Sequence, residues 1–428
     1  MKLLIKNGRV VDPANNIDEI RDVLVDGLKI SKVAKDINEK VEKIIDATGK
    51  IVMPGIVDMH VHLREPGRED KETICTGTKA ALKGGVTTVL AMPNTQPAMD
   101  CVGSVKLLKD IIKRSAVANV FIAGSITKGR LGRELVDIDK VRKEGVVAIT
   151  DDGNSVDDEK IFLKALKEAK KNKVLVVCHC EDKALSKNGV VNLGIISTRL
   201  GLRGVSKEAE YKRVERDIGL AEKAYAPIHI AHVSAKESVE LIAKAKKKGI
   251  KVSAETAPHY FYYSQDALSG YDTNLKVNPP LRTKDDVDAL KQGLRDGTID
   301  CIASDHAPHT ENEKMVEFDR AEFGTIGLET ELAVSNLELV GRGLLTWPQL
   351  VKKLCVKPAK ILNIDKGMLS KGKDADIIIV SPEKEWVVDK SSILSKSKNS
   401  CFLGKKLKGM VEYTILAGKI VYKCTNSS

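Results

Sequence analysis

The chain has 428 residues, 42% hydrophobic and 30% charged, with a net charge of +11; this allows one large core plus a minor one and excludes a disordered or low-complexity protein. No apolar run approaches the ~20 residues of a membrane span or the ~7–15 of a signal-peptide core, so a cytoplasmic protein without membrane contact is expected. The basic excess is spread along helical stretches such as KALKEAKKNK and aromatics are only 4%, which points to a solvated Lys-rich surface and away from a nucleic-acid partner.

In chain order, the first stretch from Leu3 to Ile51 contains strand-like pieces, LLIKNGRVVD and DVLVDGLKISKVA, joined by turn signals such as Asp26-Gly27. Eight short β-branched runs follow: IVMPGIVDMHVH, VTTVLAMPN, NVFIAGSI, VVAITDDG, VLVVCHC, IHIAHVS, KVSAETAPH and CIASDHAPH. Charged amphipathic stretches separate them. One, Asp158 to Lys171, has Ile161, Leu163, Ala165, Leu166 and Ala169 near a helical stripe. The last sixty residues return to the opening texture in DADIIIVSP and VEYTILAGKIVYK. We therefore expect an α/β protein, a (β/α)8 TIM-like barrel over residues 53–366. Residues 1–52 and 367–428 should pair into a small accessory β-sandwich domain built from both termini. A doubly wound open sheet would read alike strand by strand.

Side chains alternate along a strand, so His60 and His62 project the same way, ~6.6 Å apart. Seven of the eight histidines (60, 62, 179, 232, 259, 306 and 309) fall at or just beyond the C-terminal end of an expected strand, and His229 is the exception. In a parallel barrel all those ends share the face that holds the active site. Asp151 and Asp152 end the fourth strand and Asp305 the eighth. Imidazoles and carboxylates gathered there suffice for a centre of two divalent cations that activates water for hydrolysis. Each residue also has a plainer reading: Asp151 and Asp152 suit a turn, His179 a buried core position, and Asp58 a support that orients a histidine. His229 reads as structural and His259 is assigned to neither class. The eight cysteines contain no CxxC pair, so neither a disulfide framework nor a zinc ribbon is expected.

Two motifs, DMHVHLREP (58–66) and ASDHAPHTENEK (303–314), resemble those of the amidohydrolase superfamily, and within it the long-chain bacterial and archaeal dihydroorotases. The resemblance extends through AMPNTQP, TDDG, HCE, AHVSAKES, ETAPHY, NPPLR and FGTIGLET. It implies that His60, His62 and Asp305 bind a first metal ion and His179 and His232 a second. The bridging position, a carboxylated lysine in many superfamily members, would be Asp152 here; whether it bridges two ions or the site runs on one is left open. The ion implied is Zn2+, two per chain, with Co2+ or Mn2+ suited to the same ligands. The implied reaction interconverts N-carbamoyl-L-aspartate and L-dihydroorotate in pyrimidine biosynthesis, with Asp305 as general base and acid. Arg64 would hold the substrate carboxylate by its planar fork, with Asn94 and His309 as added donors. Asn278, Phe323 and Gly324 complete the implied substrate-binding set. Residues 306–327 read either as a lid or as an ordinary surface loop. Alternative readings are a hydantoinase or allantoinase, or a non-catalytic homologue. Assembly as a homodimer or with an aspartate transcarbamoylase is not decided by the sequence.

Overall fold

The computed structural model describes residues 2–424. Eight parallel strands form one sheet in strict chain order: Ile56–Val61, Val86–Ala91, Asn119–Gly124, Val146–Ile149, Leu175–Cys178, Ile228–Ile230, Val252–Thr256 and Cys301–Ile302. Its two edges meet, since Val61 bridges His306 and the His62 N–H donates to His306 O at 2.9 Å. The result is a nearly closed barrel. Strand residues divide between two clusters. Val57, Met59, Leu90, Ala123, Ala148, Val177, Ala231 and Cys301 pack with one another, as a filled interior requires. Val61, Val89, Ile122, Val146, Val176 and Ile230 pack with helix residues such as Phe162, Val214 and Ile242. Burial on both faces explains why the strands are continuous apolar runs rather than alternating ones.

The helix Glu159–Lys171 illustrates the outer layer. Asp158 caps it by accepting from Lys160 N and Ile161 N. The buried stripe is Phe162, Ala165, Leu166 and Ala169, the i, i+3, i+4, i+7 set of one helical face. Ile161 and Leu163, expected on the stripe, flank it half-buried.

The expected first run, 51–62, is two strands. Ile51–Pro54 belongs to a second sheet and Ile56–Val61 to the barrel, divided at Gly55. That second sheet runs in the order Lys419–Lys423, Lys406–Leu416, Ile377–Val387, Ile51–Pro54, Lys2–Asp12, Ile17–Asp26, Lys29–Ala34, with Lys43–Asp46 also paired to Lys2–Asp12. Both termini thus build one mostly antiparallel sheet around Leu3, Ile5, Val23, Val52, Ile377, Ile379 and Ile415. The long strand Lys2–Asp12 changes partners midway, at an irregularity before Gly8. A Cβ on Gly8 would lie 2.4 Å from Val52 Cγ2, so only glycine admits that crossing.

Residues 388–405 leave this sheet and lie against the barrel's active-site face. Ser397 Oγ donates to Lys71 O at 2.6 Å, Ser395 Oγ to Glu72, and Asn399 bonds to the segment after the eighth strand. No described helix is long and apolar enough to cross a membrane.

Candidate active site

The six residues expected to gather do so at the C-terminal ends of five strands. His60 Nε2 lies 3.3 Å from Asp152 Oδ1 and 3.7 Å from Asp305 Oδ1. His62 Nε2 lies 3.5 Å from Asp305 Oδ1 and 3.6 Å from Asp152 Oδ2. On the other side, His179 Nδ1 and His232 Nε2 lie 3.6 and 3.5 Å from Asp152 Oδ1 and 2.8 Å from each other. Two ligands of one tetrahedral ion, each ~2.1 Å from it, stand ~3.4 Å apart. Most of these separations match that edge length. His60 Nε2 and Asp152 Oδ1 are moreover buried without a hydrogen-bond partner, which is costly for polar atoms unless a ligand completes them. The residues present therefore fit divalent cations, with Asp152 facing both groups of histidines.

Neighbouring groups fix the orientation of this set. His60 Nδ1 donates to Glu255 Oε1 at 2.9 Å, which turns Nε2 to the cluster. The orienting carboxylate is thus Glu255 and not Asp58, which accepts from the His60 and Ser304 backbone amides. Glu255 Oε2 also lies 3.2 Å from His229 Nε2, and His229 Nδ1 faces Ser253 Oγ at 2.8 Å. Asp151 turns away and accepts from Ile126 N, Thr127 N and Thr127 Oγ1. His179 Nε2 faces Glu181 Oε2 at 3.2 Å, and Asn278 Nδ2 donates to the same oxygen at 3.2 Å. His259 is buried, its Nε2 has no partner, and burial lowers its pKa to about 4, so it stays neutral.

The charges explain the titration of the cluster. Burial pushes the Asp305 carboxyl up, but the His62 hydrogen bond and the His60 and His232 charges bring it down to about 2. Burial likewise opposes ionisation of Asp152, and its histidine neighbours hold it well below the usual carboxylate range. Burial lowers the His60 pKa while Asp152 and Glu255 overcome it and raise it well above the ordinary value. Arg64, His232 and Asp305 all adopt positive φ, at 61°, 33° and 47°. Such uncommon backbone for non-glycine residues concentrates where surroundings enforce it.

Of the expected substrate residues, Arg64, Asn94, Asn278 and His309 meet the cluster or its hydrogen-bond partners, with altered contacts, and Phe323 does not. Arg64 is half-buried, and the desolvation of its guanidinium lowers its pKa to about 10 and leaves it cationic. Its Nε donates to Pro308 O and its Nη2 to His309 Nε2, both at 3.2 Å, and among the described residues it forms no ion pair with a carboxylate. His309 thus backs the guanidinium, with Nδ1 3.4 Å from Glu313 Oε2, so in this structure its imidazole is an acceptor toward Arg64 rather than a free donor. Asn94 Oδ1 accepts from His62 Nδ1 at 2.9 Å, which leaves its NH2 to donate elsewhere. Gly324 sits against His309: a Cβ there would be 3.1 Å from His309 Cδ2 and 2.7 Å from Ala307 Cβ, at a φ of 140°. Its N–H is already bonded to Lys276 O at 2.8 Å. The Phe323 ring lies under the Lys276 ammonium, 4.5 Å from its centroid, and not against the histidine cluster. Glu255 was overlooked by the sequence reading although it sits inside ETAPHY; a glutamate in a buried apolar strand is itself a signal, since such a group requires partners.

Comparison with known proteins agrees with this geometry. The Dihydro-orotase-like profile matches residues 49–238 and the Amidohydrolase family profile residues 153–422. A curated dihydroorotase of Elusimicrobium minutum is 52% identical over 98% of this chain and 97% of its own length. That of Geobacter metallireducens is 49% identical over 99% of this chain and 100% of its own. Among solved structures, an L-hydantoinase (dihydropyrimidinase) from Arthrobacter aurescens superposes with a TM-score of 0.89 at 27% identity, covering 98% of this chain and 96% of that one. Taken with the ligand cluster and the unpaired Arg64, these likenesses establish that the chain belongs to the amidohydrolase family, among its dihydroorotases.

Proposed function

We propose that the protein is a metal-dependent cyclic amidohydrolase that interconverts N-carbamoyl-L-aspartate and L-dihydroorotate. The observation that carries this reading is a half-buried guanidinium without a carboxylate partner among the described residues, Arg64, set beside a cluster of four histidines and two aspartates. His60, His62 and Asp305 would hold one ion, His179 and His232 the other, and Asp152 both, with zinc suited to the imidazole-rich set. Such ions, when bound, lower the pKa of water toward about 7 and polarise an amide carbonyl.

The chain's own groups do the rest. Asp305, ionised at neutral pH, accepts the proton of the attacking water and delivers it to the departing ring nitrogen. In the reverse direction it takes a proton from the carbamoyl nitrogen. Arg64 binds the free carboxylate bidentately and so fixes which ring face meets Asp305. The Asn94 amide donates beside it, its carbonyl being committed to His62.

The fold is shared with hydantoinases, whose ring substrates need no carboxylate receptor. Assays with dihydroorotate, N-carbamoyl-L-aspartate, hydantoin and allantoin separate the readings. Turnover of the first pair, lost on chelation and restored by zinc, is expected. Preference for hydantoin or allantoin, or undiminished turnover after exhaustive chelation, refutes the proposal.

A further inference from the structure

The segment that carries His309 is bonded to residues 395–401, which lie between the strands Ile377–Val387 and Lys406–Leu416 of the second sheet. Asn399, only 6% exposed, enters between the two ends of the segment that follows Asp305. Its Oδ1 accepts from His309 N at 3.0 Å. Its Nδ2 donates to Ala307 O and to Gly324 O, both at 3.1 Å. Its own carbonyl accepts from Ile326 N and Thr325 Oγ1, both at 3.1 Å. One residue thus ties 307, 309, 324, 325 and 326 together, and only an amide supplies the acceptor and the two donors at once. Two carbonyls and one N–H fix the amide's orientation, because the reverse would set NH2 against N–H and oxygen against oxygen.

The flanking residues reinforce the tie. Cys401 N donates to Thr325 Oγ1 at 2.8 Å and accepts through its carbonyl from Tyr263 OH at 2.9 Å. Ser397 Oγ donates to Lys71 O at 2.6 Å, and the Lys71 ammonium lies 3.1 Å from His309 Nδ1. His309 is therefore held through its backbone by Asn399 and flanked at its ring by Lys71, while its Nε2 faces Arg64.

We infer that residues 395–401 form a strap across the active-site face and that Asn399 is a positioning residue which, through His309, aims the Arg64 fork at the substrate carboxylate. Resting on the proposed function, this assigns a role in substrate recognition to a segment outside the barrel. Asn399 touches neither substrate nor reacting atoms, so its removal acts on binding more than on chemistry. Asp in its place keeps the size and the acceptor but sets a carboxylate oxygen against two carbonyls.

The test compares Asn399→Asp and Asn399→Ala with the parent holoenzyme. Expected for Asn399→Asp is a KM for dihydroorotate and for N-carbamoyl-L-aspartate raised about tenfold, with kcat within about threefold and bound metal unchanged. Hydrogen exchange in peptides covering 306–309 should quicken in both variants. In a His309→Ala background the Asn399→Asp change should move KM by less than twofold, because the path to Arg64 is already cut. A KM within twofold of parent, a penalty that adds fully in the His309→Ala background, or a loss confined to kcat overturns the inference. Were the parent inactive on dihydroorotate, the functional reading would fall by itself. The exchange measurement would still judge the strap, and unchanged exchange at 306–309 would refute it.

Discussion

Replacing Glu255 with glutamine isolates the support of a metal ligand from the ligand itself. Glu255 is 1% exposed and faces two imidazoles, His60 at 2.9 Å and His229 at 3.2 Å. Burial pushes its carboxyl up, yet the hydrogen bonds from His229 and His60 bring it down to about 2, so it is an anion. A hydrogen bond to an ionised partner is worth about 1.5–3 kcal/mol against about 1 for a neutral one. Losing the charge therefore weakens the His60 link by about 0.5–2 kcal/mol, or about 2- to 30-fold in metal affinity. If the glutamine NH2 turns to His60 Nδ1, the ring proton moves to Nε2 and faces Asp152, which raises the loss toward about 100-fold. Competition between the protein and a chromophoric chelator for zinc measures this directly, with Tm as a check on folding. A folded Glu255→Gln variant that binds zinc within twofold of parent refutes the reasoning.

Three further outcomes follow from the same geometry. Arg64→Ala should raise KM about 100-fold, the worth of a buried bidentate carboxylate contact, with kcat within about tenfold; a KM unchanged in steady-state kinetics would remove Arg64 from substrate binding. Asp305→Asn should lower kcat at least about 1,000-fold with KM within about fivefold, measured at confirmed metal content; retained kcat would exclude it as proton carrier. Burial pushes the Lys353 ammonium down to about 8 from an ordinary 10.5 against the pull of Asp300. The unfolded chain then holds the extra proton between those values, so stability rises with pH across that window, and the gain is fully lost once pH has dropped below about 8. Relative to Lys353→Met, the parent should gain up to ~3 kcal/mol on going from neutral pH to 10.5. A Tm difference flat over that range contradicts the sign.

The parts of the site that could be read in the sequence are those whose geometry follows from strand periodicity. His60 and His62 share a face because alternation requires it, and the barrel brings His179, His232 and Asp305 to the same end. Adjacent aspartates show where that logic stops. Asp152 meets the histidines while Asp151 holds the Ile126–Thr127 turn, and only the local backbone decides which does which. The division of 51–62 at Gly55 was signalled by Pro54-Gly55, a strong punctuator within an otherwise strand-like run. Asn399 carried no signal at all. It lies in KSSILSKSKNS, an irregular stretch without helical or strand period, and its importance comes from three backbone groups 75 to 92 residues away.

The site consequently has two halves held by different means. Every expected metal ligand stands on a strand end or within a few residues of one, where the barrel's hydrogen-bond ladder and buried carboxylates such as Glu255 fix it. The carboxylate receptor, by contrast, is loop-borne: Arg64 rests on Pro308 and His309, and His309 rests on the strap. Perturbing Glu255 should thus change metal affinity and leave the receptor's frame intact, whereas perturbing Asn399 should do the reverse. The halves still communicate through charge, because Asp305 and Asp152 both stabilise the Arg64 cation that burial disfavours. Cations beside those two carboxylates would offset their pull on Arg64 and leave its guanidinium freer to pair with an incoming carboxylate. Substrate affinity should therefore rise with metal occupancy even though no substrate carboxylate need touch the metal.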